Sequence, residues 1–210
     1  MKNYVLAWSF IIFLGCEEKE TTQQPEGTDS IASQQLAGTW SCGCRFDEDS
    51  NYSTESITIV ATSEKIGNME RFKSYWGDNN CSVLTFNEKY ETTYKIRKQV
   101  DEDGSTWTRD EKITSISVSF ILPNLINAAN TDSYYGYNTW VKSQYKDVSG
   151  KRQTPGSTRS FSAAGASYYT VFKIENNKYY RPDFSTANPF DESVRPTKTV
   201  EDYCTKESNN

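Results

Sequence analysis

The chain has 210 residues, enough for one domain of ordinary size, and a body of roughly 170 residues buries about two thirds of its surface on folding, so one core suffices. Apolar residues make up 35 % and aromatic residues 14 %, with 14 tyrosines, a profile that fits β-sheet better than helix or disorder. The formal charge of -5 supplies no basic face for phosphates and so excludes nucleic acid as a partner; the lack of His excludes a Ser-His-Asp triad, a Cys-His pair and a His-ligated zinc within this chain alone.

The N-terminus reads as an address. Lys2 is followed by an apolar run from Tyr4 to Leu14, too short to cross ~30 Å of hydrocarbon and of the length of a signal-peptide core. The run ends Phe13-Leu14-Gly15-Cys16, which resembles the lipobox of bacterial lipoproteins, with Phe13 where Leu is usual. That resemblance implies removal of residues 1–15 as a signal peptide and a diacylglycerol thioether on Cys16, the route by which the chain would meet a membrane. Each buried methylene contributes ~0.8 kcal/mol, so two or more acyl chains anchor stably where one does not. Glu17-Glu18-Lys19-Glu20 resembles the export signal that sends lipoproteins of some Gram-negative lineages to the outer membrane or cell surface. Residues 16–35 otherwise run mostly through Thr, Gln, Pro, Gly and Ser with almost no apolar residue, too polar to repay ordering entropy, and read as a flexible tether. Within it, Asp29-Ser30-Ile31 resembles a short O-glycosylation sequon.

Residues 36–210 form the folded domain. Thr39 to Cys44 alternates as a strand, with Trp40, Cys42 and Cys44 on one face. Further strands are predicted at Ser56 to Thr62, Tyr90 to Arg97 and Ile116 to Phe120, where a period of two separates apolar from polar positions, and at Met69 to Trp76, a second aromatic-bearing strand. Asp103-Gly104 marks a turn. Pro123 to Asn130 is predicted as a short helix, because Leu122, Leu125, Ile126 and Ala129 follow a proline start at helical spacing. Thr131 to Ser160 is long and polar, with one strand expected around Trp140 to Gln144 and loop elsewhere. Tyr168 to Ile174 and Lys178 to Arg181 pair across an Asn176-Asn177 turn, and Glu201 to Thr205 closes the series. The reading is an all-β antiparallel barrel of about eight strands, the number whose interior holds side chains or one small ligand.

Gly38-Thr39-Trp40 at the head of the first strand resembles the opening motif of lipocalins and other calycin-like barrels. With the lipobox, a mid-chain Asn80-Cys81, the Asn-turn hairpin and the terminal Arg195-Pro196-Thr197, the chain resembles a group of uncharacterised bacterial lipocalin-like lipoproteins over most of residues 36–206. The resemblance implies a structural barrel floor made by Gly38 and Trp40, with Arg195 covering the Trp40 ring.

Four cysteines remain once Cys16 is set aside: Cys42, Cys44, Cys81 and Cys204. An oxidising compartment favours two disulfides. A Cys42–Cys44 bond would join side chains two apart on one strand with strained geometry. Two pairings survive, in which Cys42 or Cys44 joins Cys204 and the other joins Cys81.

No nucleophile motif, phosphate loop or cofactor signature appears, so the expected function is binding without catalysis, cofactor or metal. Of the carboxylate groups Asp47-Glu48-Asp49, Asp101-Glu102-Asp103 and Asp183 with Asp191-Glu192, the first two read as solvated turns. Tyr134, Tyr137 and Trp140, clustered in a loop-rich stretch, are the ligand-binding candidates, as the rim of a barrel mouth taking a small hydrophobic molecule. The alternative is a surface module whose exposed Tyr and Trp bind a glycan or a protein partner.

Overall fold

The computed structural model describes residues 34–46, 51–100, 105–185 and 187–208. The signal peptide, Cys16, almost all of the tether with Asp29-Ser30-Ile31, the Asp47–Asp49 cluster and the Asp101–Gly104 turn lie outside them.

Nine strands follow in chain order: β1 (Gly38–Phe46), β2 (Tyr52–Ala61), β3 (Ile66–Trp76), β4 (Leu84–Gln99), β5 (Thr106–Phe120), β6 (Lys146–Asp147), β7 (Ser167–Glu175), β8 (Lys178–Pro182) and β9 (Thr199–Lys206). Each of the long strands pairs with its predecessor, β7 pairs with β5, and β9 returns to β1, all antiparallel. The result is a closed eight-stranded up-and-down barrel, as the strand count predicts, with β6 an added two-residue piece on the far half of β5. Closure leaves no open sheet edge along the barrel wall.

The closing seam is thin. Only Trp40↔Lys206 and Ser41↔Thr205 pair between β1 and β9, whereas β2 and β3 pair continuously from Tyr52↔Trp76 to Ala61↔Gly67. A disulfide reinforces it: Cys42 bonds Cys204 across the seam, and Cys44 bonds Cys81 in the β3–β4 turn. This is one of the two pairings left open by the sequence. That turn is held by Asp78, whose carboxylate accepts from the Ser82 and Val83 amides at 2.9 and 2.8 Å.

Period-two alternation aims one face of every strand inward. Ser53, Glu55, Ile57 and Ile59 are buried on β2 while their neighbours are partly exposed. The lower interior is an apolar floor of Leu36, Trp40, Ile57, Ile59, Met69, Tyr94, Ile96, Trp107, Phe172 and Tyr179. Two glycines permit its packing. Gly38 has φ +123°, and a Cβ there would sit 2.7 Å from Lys206 Cε. At Gly67 a Cβ would meet the Val60 carbonyl at 2.3 Å and the Tyr94 hydroxyl at 2.5 Å.

Between β5 and β7 the chain leaves the barrel wall. It forms the helix α1 (Pro123–Thr131), started by proline as predicted, then a single 3-10 turn at Tyr134–Gly136 and β6. Ile113, Ile116, Val118 and Phe120 of β5 pack there against Ala129, Tyr135, Trp140 and Val148, a second apolar cluster, called the lid below, that adjoins the upper cavity through Ile113 and Ile116. The strand expected at Trp140 to Gln144 is absent, and β6 lies just after it. The Asn130 side chain explains this: it accepts from the Trp140 amide and donates to the Trp140 carbonyl, so both main-chain groups are taken by a side chain instead of a ladder.

Candidate ligand-binding cavity

Above the floor the inward positions turn charged. Glu55 on β2 is the centre of one group: Arg45 Nη2 lies 2.7 Å from its Oε2, Arg71 Nε 2.9 Å from Oε1, and Arg181 Nη1 3.8 Å from Oε2. Burial would raise the Glu55 carboxyl, but Arg71, Arg45 and Arg181 outweigh it and hold the pKa at about 2. Glu55 is therefore a fixed anion at any physiological pH. Asp202, at the solvent edge, takes Arg181 Nη2 at 2.6 Å and approaches Arg45 Nε at 3.8 Å.

A second buried pair sits beside it. Arg109 donates from Nε and Nη2 to Glu111 Oε1 at 2.9 and 2.6 Å, and from Nη2 to the Tyr179 hydroxyl at 3.1 Å. Its guanidinium lies over the Phe172 ring at 5.2 Å. The Thr170 hydroxyl donates to the same Glu111 oxygen at 3.3 Å.

The third buried acid behaves oppositely. Glu88 on β4 accepts from the Tyr75 and Tyr90 hydroxyls at 2.9 and 3.1 Å, and Arg159 reaches its other oxygen only at 3.5 Å. Burial dominates and raises its carboxyl above the usual range. The same burial lifts Tyr90 well above an ordinary phenol and Tyr168 to about 12.

These groups line two adjoining lobes. The larger, about 630 Å³, is walled by Tyr75, Glu88, Tyr90, Thr92, Ile113 and Ile116, with Arg159, Phe161 and Phe190 from the loops. The smaller, about 410 Å³, is walled by Arg45, Glu55, Arg109, Thr170, Tyr179 and Arg181. Arg71, Lys73, Glu111 and Tyr168 face both and form the shared wall. The volumes fall within the ~300–1,000 Å³ typical of small-molecule sites.

The residues singled out from the sequence lie elsewhere. Trp40 is fully buried in the floor, donates from Nε1 to the Leu36 carbonyl at 2.8 Å and stands 5.7 Å from the Tyr179 ring. The cation over it is Lys206, at 5.2 Å, and not Arg195. Arg195 pairs with Asp110 and Glu192 at 3.0 and 3.1 Å and lies over the Tyr169 ring at 5.1 Å. The reason lies in the register: Trp40 pairs with Lys206 across the seam, so the last residue of β9 reaches the ring first. Tyr134, Tyr137 and Trp140 come together, but as part of the lid. Trp140 is buried against Phe120 at 4.8 Å and Tyr137 at 5.6 Å, its Nε1 donates to the Tyr134 carbonyl, and the Tyr137 hydroxyl donates to the Asp147 carbonyl. None of the three lines either lobe. Asp183 stands at the rim of the smaller lobe, and Asp191 caps a short turn through the Ser193 amide.

Glu55, Arg71, Glu88, Arg109, Glu111 and Arg159 are the cavity residues that the sequence reading passed over. A signal existed, since Glu55 is in phase with Ile57 and Ile59, and Arg71 with Met69. A charge at an inward-facing position of an otherwise apolar face marks a polar interior. In comparison with known proteins, the chain matches no family model and no curated protein sequence.

Proposed function

We propose that this chain is a lipid-anchored, lipocalin-like lipoprotein of the outer membrane or cell surface, and that its barrel binds one small molecule without catalysis. The observation that carries the binding reading is the two-lobed cavity between floor and lid, large enough for such a ligand. The lipobox-like Gly15-Cys16 and the two disulfides support an exported, anchored protein.

The lining refines the hydrophobic ligand expected from the sequence. Tyr90, Ile113, Ile116 and Phe161 offer apolar surface, and Arg71, Lys73, Glu88 and Arg159 offer polar groups within the same lobe. The ligand that fits is amphipathic, with a ring or short acyl portion and a polar end. Glu55, ionised and ringed by arginines, serves as a fixed counter-charge in the smaller lobe. The surface-module alternative finds less support: Trp40, Trp107 and Trp140 are buried, and the exposed Tyr145 and Tyr203 lie on separate parts of the fold.

Native mass spectrometry of the disulfide-intact protein from its natural host tests this. A bound mass of small-molecule size is expected, and it should fall in Thr92→Trp, which sets a bulky ring into the larger lobe. A bare protein that retains glycans on an array would overturn the reading in favour of the surface module.

A further inference from the structure

Resting on the reading that the barrel takes a small ligand, we propose that the smaller lobe is an oxyanion site in which Arg45, Arg109 and Arg181 grip a carboxylate, sulfate or phosphate group of that ligand. Three guanidinium nitrogens carry the argument. Arg45 Nη1, Arg109 Nη1 and Arg181 Nε are buried and without a hydrogen-bond partner, and all three residues line the same 410 Å³ lobe. Buried polar groups are almost always satisfied, and here three arginines that wall one lobe each keep a donor unmet, which an acceptor in that lobe would serve after a small side-chain shift.

The pairings already made aim these atoms. On Arg109, whose side chain is 3 % exposed, Glu111 takes Nε and Nη2 and leaves the Nη1 edge unused. On Arg45, Glu55 takes Nη2 and Asp202 stands nearest Nε, which leaves Nη1. On Arg181, Glu55 and Asp202 take the two terminal nitrogens and leave Nε. The partner must be an acceptor, because an arginine offers donors only, and the excess of cations in the wall favours an anionic one. Its walls hold Arg45, Arg71, Lys73, Arg109 and Arg181 against two buried carboxylates, Glu55 and Glu111, with Asp183 and Asp202 at the solvent edge. The planar fork of a guanidinium matches the paired oxygens of a carboxylate, sulfate or phosphate.

Glu55 acts as a positioning residue in this scheme. Its carboxylate gathers three arginines at 2.7, 2.9 and 3.8 Å and neutralises only one of their charges. The shared wall of Arg71, Lys73, Glu111 and Tyr168 lets the anionic head rest in the smaller lobe while an apolar body reaches Tyr90, Ile113, Ile116 and Phe161 in the larger.

Two fluorescent probes that differ in one group test the proposal: 1-anilinonaphthalene-8-sulfonate and its uncharged parent N-phenyl-1-naphthylamine. With the mature, disulfide-intact protein the sulfonate should bind at least tenfold more tightly than the parent, and inorganic phosphate should displace it. Arg45→Gln and Arg181→Gln, both at partly exposed arginines, should each cut that ratio to threefold or less, and Arg181→Lys, which keeps the charge but not the guanidinium donors, should fall between wild type and Arg181→Gln. Circular dichroism and thermal melts confirm that each variant is folded. Equal binding of the two probes, or a ratio unchanged in both glutamine variants, overturns the oxyanion site and leaves the small-molecule reading standing. If neither probe binds, both fall.

Discussion

The same strands build the floor and the charged layer, two residues apart. Along β2, Ile59 and Ile57 give way to Glu55; along β3, Met69 to Arg71; along β5, Trp107 to Arg109; along β8, Tyr179 to Arg181. Below the step every large side chain packs on another, as Trp40 does on Tyr179 and Trp107 on Phe172, both at 5.7 Å. Above it, charges are buried with some donors unmet. The floor is a stability device, because burial of large apolar side chains is favourable wherever it is complete. In the upper layer ion pairing outweighs desolvation at Glu55 but not at Glu88, so buried charge there does not stabilise uniformly, and it surrounds the cavity.

The largest effect that separates the two regions is expected at Trp40. Trp40→Ala removes the biggest fully buried side chain of the floor, and large-to-small core changes of this kind cost ~3–5 kcal/mol. Chemical denaturation should show that loss at every pH, because no titrating group is involved. A cost that varied with pH would mean that the floor and the charged layer are not separable.

Glu55→Gln attacks the other side of the comparison. The carboxyl is held at about 2 against an ordinary 4.5. Its ionised form therefore contributes about 3 kcal/mol to folding. The folded pKa is the lower one, so the contribution is complete above pH 4.5 and drains away as pH falls toward 2. The stability gap between wild type and Glu55→Gln should be about 3 kcal/mol at pH 7 and close to zero at pH 2. Glu88 runs in the opposite sense, since a raised carboxyl favours the folded state below its ordinary pKa and loses that advantage as pH rises through the folded one. Glu88→Gln should thus narrow or invert its gap with wild type above that range, and the two variants together separate the lobes by sign.

How far the sequence carried the fold can be read at particular residues. Alternation is a short-range property, so the strands, the hairpin at Asn176-Asn177 and the proline-led helix were legible. So was the eight-strand barrel, and the disulfides were legible down to two pairings. The charged layer was not, because an inward charge has no meaning until closure places it opposite its partners: Arg45, Arg71 and Arg181 come from three strands to meet on Glu55. A strand taken to start at Ser56 also left Glu55 outside the alternating run. The aromatic cluster at Tyr134–Trp140 misled in the opposite direction. Loop aromatics suggest a binding rim, but here Phe120, Tyr135 and Val148 gave them something to bury against, and burial won.

The smallest effect concerns which cation caps the floor. The resemblance implied Arg195, whereas the register brings Lys206 over Trp40 at 5.2 Å, with Nζ donating to the Gln35 carbonyl at 3.2 Å. Such a contact at a partly exposed site is worth ~0.5–1 kcal/mol, too little to read from one variant against the loss of other contacts. A double-mutant cycle isolates it. Lys206→Met keeps most of the stem that covers the ring, and Trp40→Phe keeps an apolar ring in the floor, so their coupling reports the cation over the indole. That coupling should be ~0.5–1 kcal/mol, whereas Arg195→Met with Trp40→Phe should add to within ~0.3–0.5 kcal/mol, as distant sites do. The Arg195 substitution should instead couple to Asp110, its partner at 3.0 Å. If Arg195 and not Lys206 coupled to Trp40, the register of β9 against β1 would be wrong, and with it the seam on which the barrel closes.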